Sequence, residues 1–135
     1  MTSTDTARPD GDVVELSTPA DVVYVSTLRL AAASLAARCE LTIDDIEDLR
    51  LAVDEACALL LPHATADSHL GARFHLHPGK LVVDASVTTS ETSEPNRDGF
   101  AWTVLDALAS TVDVHMQADT LTISVTKARE SVQTL

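Results

Sequence analysis

Apolar residues change their spacing twice along the chain, and the changes divide it into helices and strands. Val13, Val14 and Leu16 form a short apolar cluster that reads as a strand. Thr18 followed by Pro19 predicts a helix start, because proline at a first helical position forfeits no hydrogen bond. That helix is expected to run through Tyr24, Leu28, Leu35 and Ala36 to about Cys39. Thr42, with Asp45 three residues on, opens a second helix through an acidic variant of the capping box. Ile46, Leu49, Val53, Ala56 and Leu60 then recur at helical spacing and end before Pro62.

Beyond that point the period falls to two. Ala72 to Pro78 and Leu81 to Val87 read as strands joined by a Pro78-Gly79-Lys80 turn. Thr88 to Asp98 is a polar loop, and Phe100, Val104, Leu105 and Leu108 mark a third helix. Val112 to Met116 and Leu121 to Thr126 close the chain as a hairpin turning near Gln117–Thr120. Helices interleaved with antiparallel strand pairs imply an α/β two-layer sandwich: a mixed, largely antiparallel sheet with helices packed on one face. The domain is expected over residues 12–128, between a disordered N-terminal tail at 1–11 and a C-terminal tail at 129–135.

Composition narrows the class. A chain of 135 residues suits one domain, and 45% hydrophobic content with only 3% aromatic calls for a core of Ala, Val and Leu. The net charge of −12 argues against direct nucleic-acid binding, which needs Lys and Arg to neutralise phosphates, and favours basic partners. The N-terminus lacks the basic and apolar regions of a signal peptide, and no apolar run approaches the ~20 residues of a membrane span. A soluble, cytoplasmic protein is the expectation. Cys39 and Cys57 then read as small buried hydrophobes.

The second helix carries a recognisable run, Asp48-Leu-Arg-Leu-Ala-Val-Asp-Glu-Ala-Cys-Ala-Leu-Leu-Leu-Pro-His63. It resembles the N-box helix of the anti-sigma-factor serine kinases, the RsbW-like members of the ATPase superfamily shared by histidine kinases, gyrase and the Hsp90 chaperones. Gly99 to Val114 is similar to the family's later glycine box with its following helix and strand, and Thr120 to Lys127 to its terminal strand. The likeness covers about residues 12–128 in order and is close to actinobacterial members that hold a stress-response sigma factor. It implies the histidine-kinase-like ATPase fold, a sigma factor and an anti-anti-sigma (STAS-type) antagonist as partners, and a homodimer.

Departures from the family pattern bear on chemistry. By the resemblance, Glu55 stands at the general-base position, and Leu59 replaces the Asn that holds Mg²⁺ one helical turn later. Side chains at i and i+4 share a helix face and could reach one phosphate, but leucine offers magnesium no oxygen. The first glycine box should follow Leu81–Val87, where Asp84 is the acid within the strand and no glycine comes after it. The second keeps only Gly99, with Ala101 in the next glycine position. The four glycines, at 11, 71, 79 and 99, cannot supply two phosphate-binding loops. ATP and Mg²⁺ are therefore doubtful cofactors, Glu55 a relic base, and Asp84 and Gly99 remnants of a nucleotide site.

Plainer readings compete for the other candidates. His75 and His77 share one side of a strand and could bind a metal, but no partner ligand has suitable spacing, so no metal site is assigned. Trp102 reads as a core or interface anchor, and the acids Asp44, Asp45, Glu47 and Asp48 as complements of the helix dipole. Arg29 is either a solvated helix residue or, by the resemblance, part of a sigma-binding surface, facing about 100° away from Leu28. The leading expectation is an anti-sigma factor with decayed ATP motifs. The alternatives are an active ATP-dependent serine kinase and a small-molecule sensor using the remnant pocket.

Overall fold

The computed structural model describes residues 10–129; most of the two tails expected from sequence lies outside the described residues. Five strands, β1 (Asp12–Pro19), β2 (His69–His77), β3 (Lys80–Thr88), β4 (Thr111–Gln117) and β5 (Thr120–Ala128), form one sheet in the order β1-β2-β3-β5-β4. Every pairing is antiparallel, so the sheet is not mixed as the sequence reading allowed. Helices α1 (Val25–Arg38), α2 (Ile43–Leu60) and α3 (Phe100–Leu108) cover one face, as expected.

Alternation sets which face is which. Leu70, Ala72, Phe74 and Leu76 of β2, Leu81, Val83, Ala85 and Val87 of β3, and Leu121, Ile123 and Val125 of β5 all point beneath the helices. They meet Leu28, Ala32 and Ala36 of α1, Leu49, Val53, Ala56 and Leu60 of α2, and Trp102 and Leu105 of α3. The intervening residues make an open polar face, including Arg73, His75, Asp84, Ser86, Thr122 and Ser124.

The expected helix start at Thr18–Pro19 is overturned. Both residues belong to β1, with Thr18 opposite Leu70 and Pro19 opposite His69. β1 lies at the sheet edge, where a residue without an N–H is tolerated. The helical path begins instead at Asp21, whose Oδ1 accepts from Val23 N at 3.1 Å and starts a 3₁₀ turn over Val22–Tyr24. At α2 the capping box is present in both directions: Asp45 N donates to Thr42 Oγ1 and Thr42 N to Asp45 Oδ2, each at 3.1 Å. Gly79 takes φ +76° in the β2–β3 turn, a conformation that suits glycine.

Candidate functional site

Helix α2 sits between α1 and α3, and its two flanks hold the candidate residues. Asp48 marks the flank toward α3: Lys127 Nζ lies 3.2 Å from Asp48 Oδ2 and donates to the Leu108 carbonyl at 2.9 Å, tying α2 and β5 to the end of α3. Glu55 lies two turns beyond Asp48 on the same helical row, and Leu59 one turn further. Glu55 is half-buried and makes no hydrogen bond or ion pair among the described residues. Leu59 packs against the core.

Of the two expected remnants of a nucleotide site, Asp84 does not lie on this flank. Asp84 is on the open face of the sheet, opposite the face α2 covers, because its neighbours Val83 and Ala85 point beneath the helices. There Asp84 Oδ2 lies 3.0 Å from His75 Nε2. Gly99 is the N-cap of α3 with φ −73°, and a Cβ added to it would meet Trp102 Cδ1 at 3.9 Å, ordinary contact. Neither its backbone nor its space demands glycine.

The loop from Thr89 to Asp98 is tied down by its own contacts. Thr89 N donates to the Asp119 carbonyl at 2.7 Å, and Glu91 N to Thr89 Oγ1 at 3.2 Å, so these N–H groups are already engaged. His63 pairs with Glu91 through Nδ1 and Oε2. At the far end the Arg97 guanidinium lies 5.2 Å from the centroid of the buried Trp102 ring. A magnesium–nucleotide complex needs oxygen ligands and free phosphate-binding N–H groups. These residues do not fit one: of the row's two carboxylates Asp48 is held by Lys127, and Glu55 is followed by a leucine.

The flank toward α1 has the opposite character. Arg29 Nη1 donates to both Oδ1 and Oδ2 of Asp54 at 2.9 Å, and both side chains are 31% exposed. Arg29 is therefore engaged within the chain while part of its side chain stays exposed. Asp54, one helical turn before Ala58, had no signal in sequence beyond its charge. Its pairing with Arg29 spans 25 positions and depends on how α1 crosses α2. Around the pair lies a cavity of about 320 Å³ lined by Val22, Val25, Ser26, Ala58 and Leu61. Val22, Val23 and Leu30 on the α1 side and Leu51 on α2 are exposed apolar residues.

Cys39 and Cys57 are buried free thiols. Burial, with the nearby Asp54 charge adding to it, pushes the Cys57 thiol up to about 12, and burial also raises that of Cys39. His77 Nδ1 lies 3.3 Å from Asp10 Oδ1, and among the described residues no three of His, Cys, Asp or Glu gather as a metal set. Among the described residues no helix is long and apolar enough to cross a membrane.

Comparison with known proteins agrees with this architecture. The anti-sigma-F factor RsbW of Mycobacterium tuberculosis (strain H37Rv) is 33% identical over 99 residues, which is 73% of this chain and 59% of that protein. The serine-protein kinase RsbW of Bacillus velezensis is 40% identical over 75 residues, 53% of this chain and 47% of that protein. The chain spans about half the length of the curated relatives it matches. The solved RsbU and RsbW domains of Rv1364c from Mycobacterium tuberculosis superpose with a TM-score of 0.63 at 16% identity, over 92% of this chain and 35% of that one, a likeness of fold. Residues 18–127 match the family described as the histidine kinase-like ATPase domain, and the chain belongs to that family.

Proposed function

We propose that this protein is an anti-sigma factor. It sequesters an alternative, stress-response sigma factor in the cytoplasm and is countered by a STAS-type anti-anti-sigma antagonist, so that it represses transcription. One observation carries the reading: of α2's two flanks, the one suited to phosphate chemistry lacks its donors, while the one suited to protein contact keeps a groove and an arginine. A relative named anti-sigma-F factor RsbW supports it from outside the chain. The chain works as a homodimer on this reading. The test is titration calorimetry against each purified alternative sigma factor of the source organism. One factor is expected to bind as a saturable complex, and failure of all of them ends the proposal.

Release does not run through phosphorylation by this chain on the same reading. Glu55 keeps a carboxylate, but without a magnesium ligand beside it that carboxylate has no bound phosphoryl group to act on. Competition by the antagonist is left as the means of release. A second reading, an active serine kinase, is favoured by Glu55 itself and by the Bacillus relatives, which are named serine-protein kinases. Incubation with labelled ATP, Mg²⁺ and the purified antagonist separates the two. Label that appears on the antagonist and disappears with Glu55→Ala establishes the kinase. A small-molecule sensor has less support, since neither the groove beside Arg29 nor the open polar face of the sheet is lined by Glu55, Leu59 or Gly99.

A further inference from the structure

The Arg29–Asp54 pair has a geometry that bears on how a partner reaches the arginine. A guanidinium grips a carboxylate with two parallel N–H groups, taken either from Nη1 and Nη2 or from Nε and Nη2. Arg29 Nε is buried and has no partner among the described residues, which closes the second of those edges to anything arriving from solvent. The other edge contains Nη1, and Nη1 is held by both oxygens of Asp54. A two-pronged grip on an incoming carboxylate is therefore open only after Asp54 lets go.

We infer that Asp54 is an intramolecular competitor at the partner-binding groove, and that it sets affinity by occupying the guanidinium edge that a partner's carboxylate must take. The inference rests on the anti-sigma reading above. The occupant it commits to is a helix of the sigma factor that lays apolar side chains between Val22, Ala58 and Leu61 and brings one Asp or Glu to Arg29. Charge complementarity selects that acid: Arg29 is the cation lining this groove, in a chain whose net charge is −12. Exchange is feasible because the pair is 31% exposed on both sides, so the released Asp54 carboxylate is rehydrated readily.

Competition has a signature that a merely structural ion pair lacks. Asp54→Asn keeps the shape of the side chain and removes its charge, so it loosens the hold on Arg29. It should lower the thermal melt of the free protein and at the same time tighten the complex. The worth of a half-exposed pair converts to an affinity gain of about two- to fivefold. Arg29→Ala should weaken the complex by about tenfold or more. Adding Asp54→Asn to Arg29→Ala should then bring no tightening, because the competitor has nothing left to occupy.

Calorimetry with the full chain and the purified alternative sigma factors decides the matter, with Asp54→Ala as a second variant in case the asparagine rebuilds a hydrogen bond. Tightening by both Asp54 variants that disappears without Arg29 establishes the competition. If the wild type binds a sigma factor and the Asp54 variants bind it equally or more weakly, Asp54 belongs to the docking surface or to the scaffold and the inference is overturned, while the anti-sigma reading stands. If the melt of Asp54→Asn matches the wild type, the pair does not hold in solution and the inference falls. If the wild type binds no sigma factor, the functional reading falls first and takes this one with it.

Discussion

On the flank of α2 beside α1, a charged pair sits in an apolar groove and keeps a guanidinium near the surface; on the flank beside α3, a carboxylate without a partner among the described residues is followed by a leucine. Both flanks are presented by one helix with one capping box and one buried stripe. The helix's shape is thus preserved independently of its chemistry. Burial of Leu49, Val53, Ala56 and Leu60 fixes where α2 lies, and the exposed rows on either side are free to diverge. A phosphate site depends on specific oxygens and N–H groups and fails with one wrong residue. A protein-docking groove depends on area and outline and tolerates change better.

The stripe beneath both flanks should produce the largest effect. Cys57 there has a thiol raised by burial from 9.0 to about 12, so between those values the folded state holds a proton that the unfolded state gives up. Stability contributed by the neutral thiol is present below pH 9.0 and declines as pH rises toward 12, by at most about 1.4 kcal/mol per pH unit. Denaturant melts across this range should steepen for the wild type relative to Cys57→Ala. Parallel curves would break the account of Cys57 as a dry core residue.

On the α3 flank, Lys127 is 12% exposed and bonds both Asp48 and the Leu108 carbonyl. Lys127→Met strips the end of α3 of its donor and should cost about 1–3 kcal/mol of stability, read as a lower melting temperature, with sigma binding unchanged. Loss of binding at full stability would move the docking surface to the other side of α2. On the α1 flank the balance reverses. Arg29→Ala should cost the free protein no more than about 1 kcal/mol, because the pair is half-exposed, while its main effect appears in the complex. The smallest expected effect is ATP with Mg²⁺. A nucleotide at a hundred times its dissociation constant would add about 2.7 kcal/mol, and no shift of the melt is expected here. A clear rise would restore the α3 flank as a nucleotide site.

Much of this fold was legible in the chain. Period-two alternation located β2, β3 and β5, and Thr42 with Asp45 located the start of α2 to the residue. The miss at Thr18–Pro19 has a specific cause: proline ends a strand at a sheet edge as comfortably as it opens a helix, and position in the sheet is not written locally. The face Asp84 occupies was not legible, because strand alternation assigns it a side of β3 without saying which side the helices cover. The absence of an oxygen ligand at Leu59 needed no structure at all, since no packing gives leucine a donor.

The sequence by itself determined what local chemistry can dictate: most of the elements, the apolar stripe of α2, the family, a leucine at position 59 and the scarcity of glycine. Tertiary structure alone decided which distant residues meet. Arg29 and Asp54, 25 positions apart, become partners because α1 and α2 cross over a shared core, and Lys127 reaches Asp48 across 79 positions because β5 runs beneath α2. The physical reason lies in the ranges of the two kinds of information. Propensity, capping and periodicity act within a few residues, so the chain carries them openly. The geometry of a side-chain pair depends on the packing of whole elements, which many long-range contacts settle together.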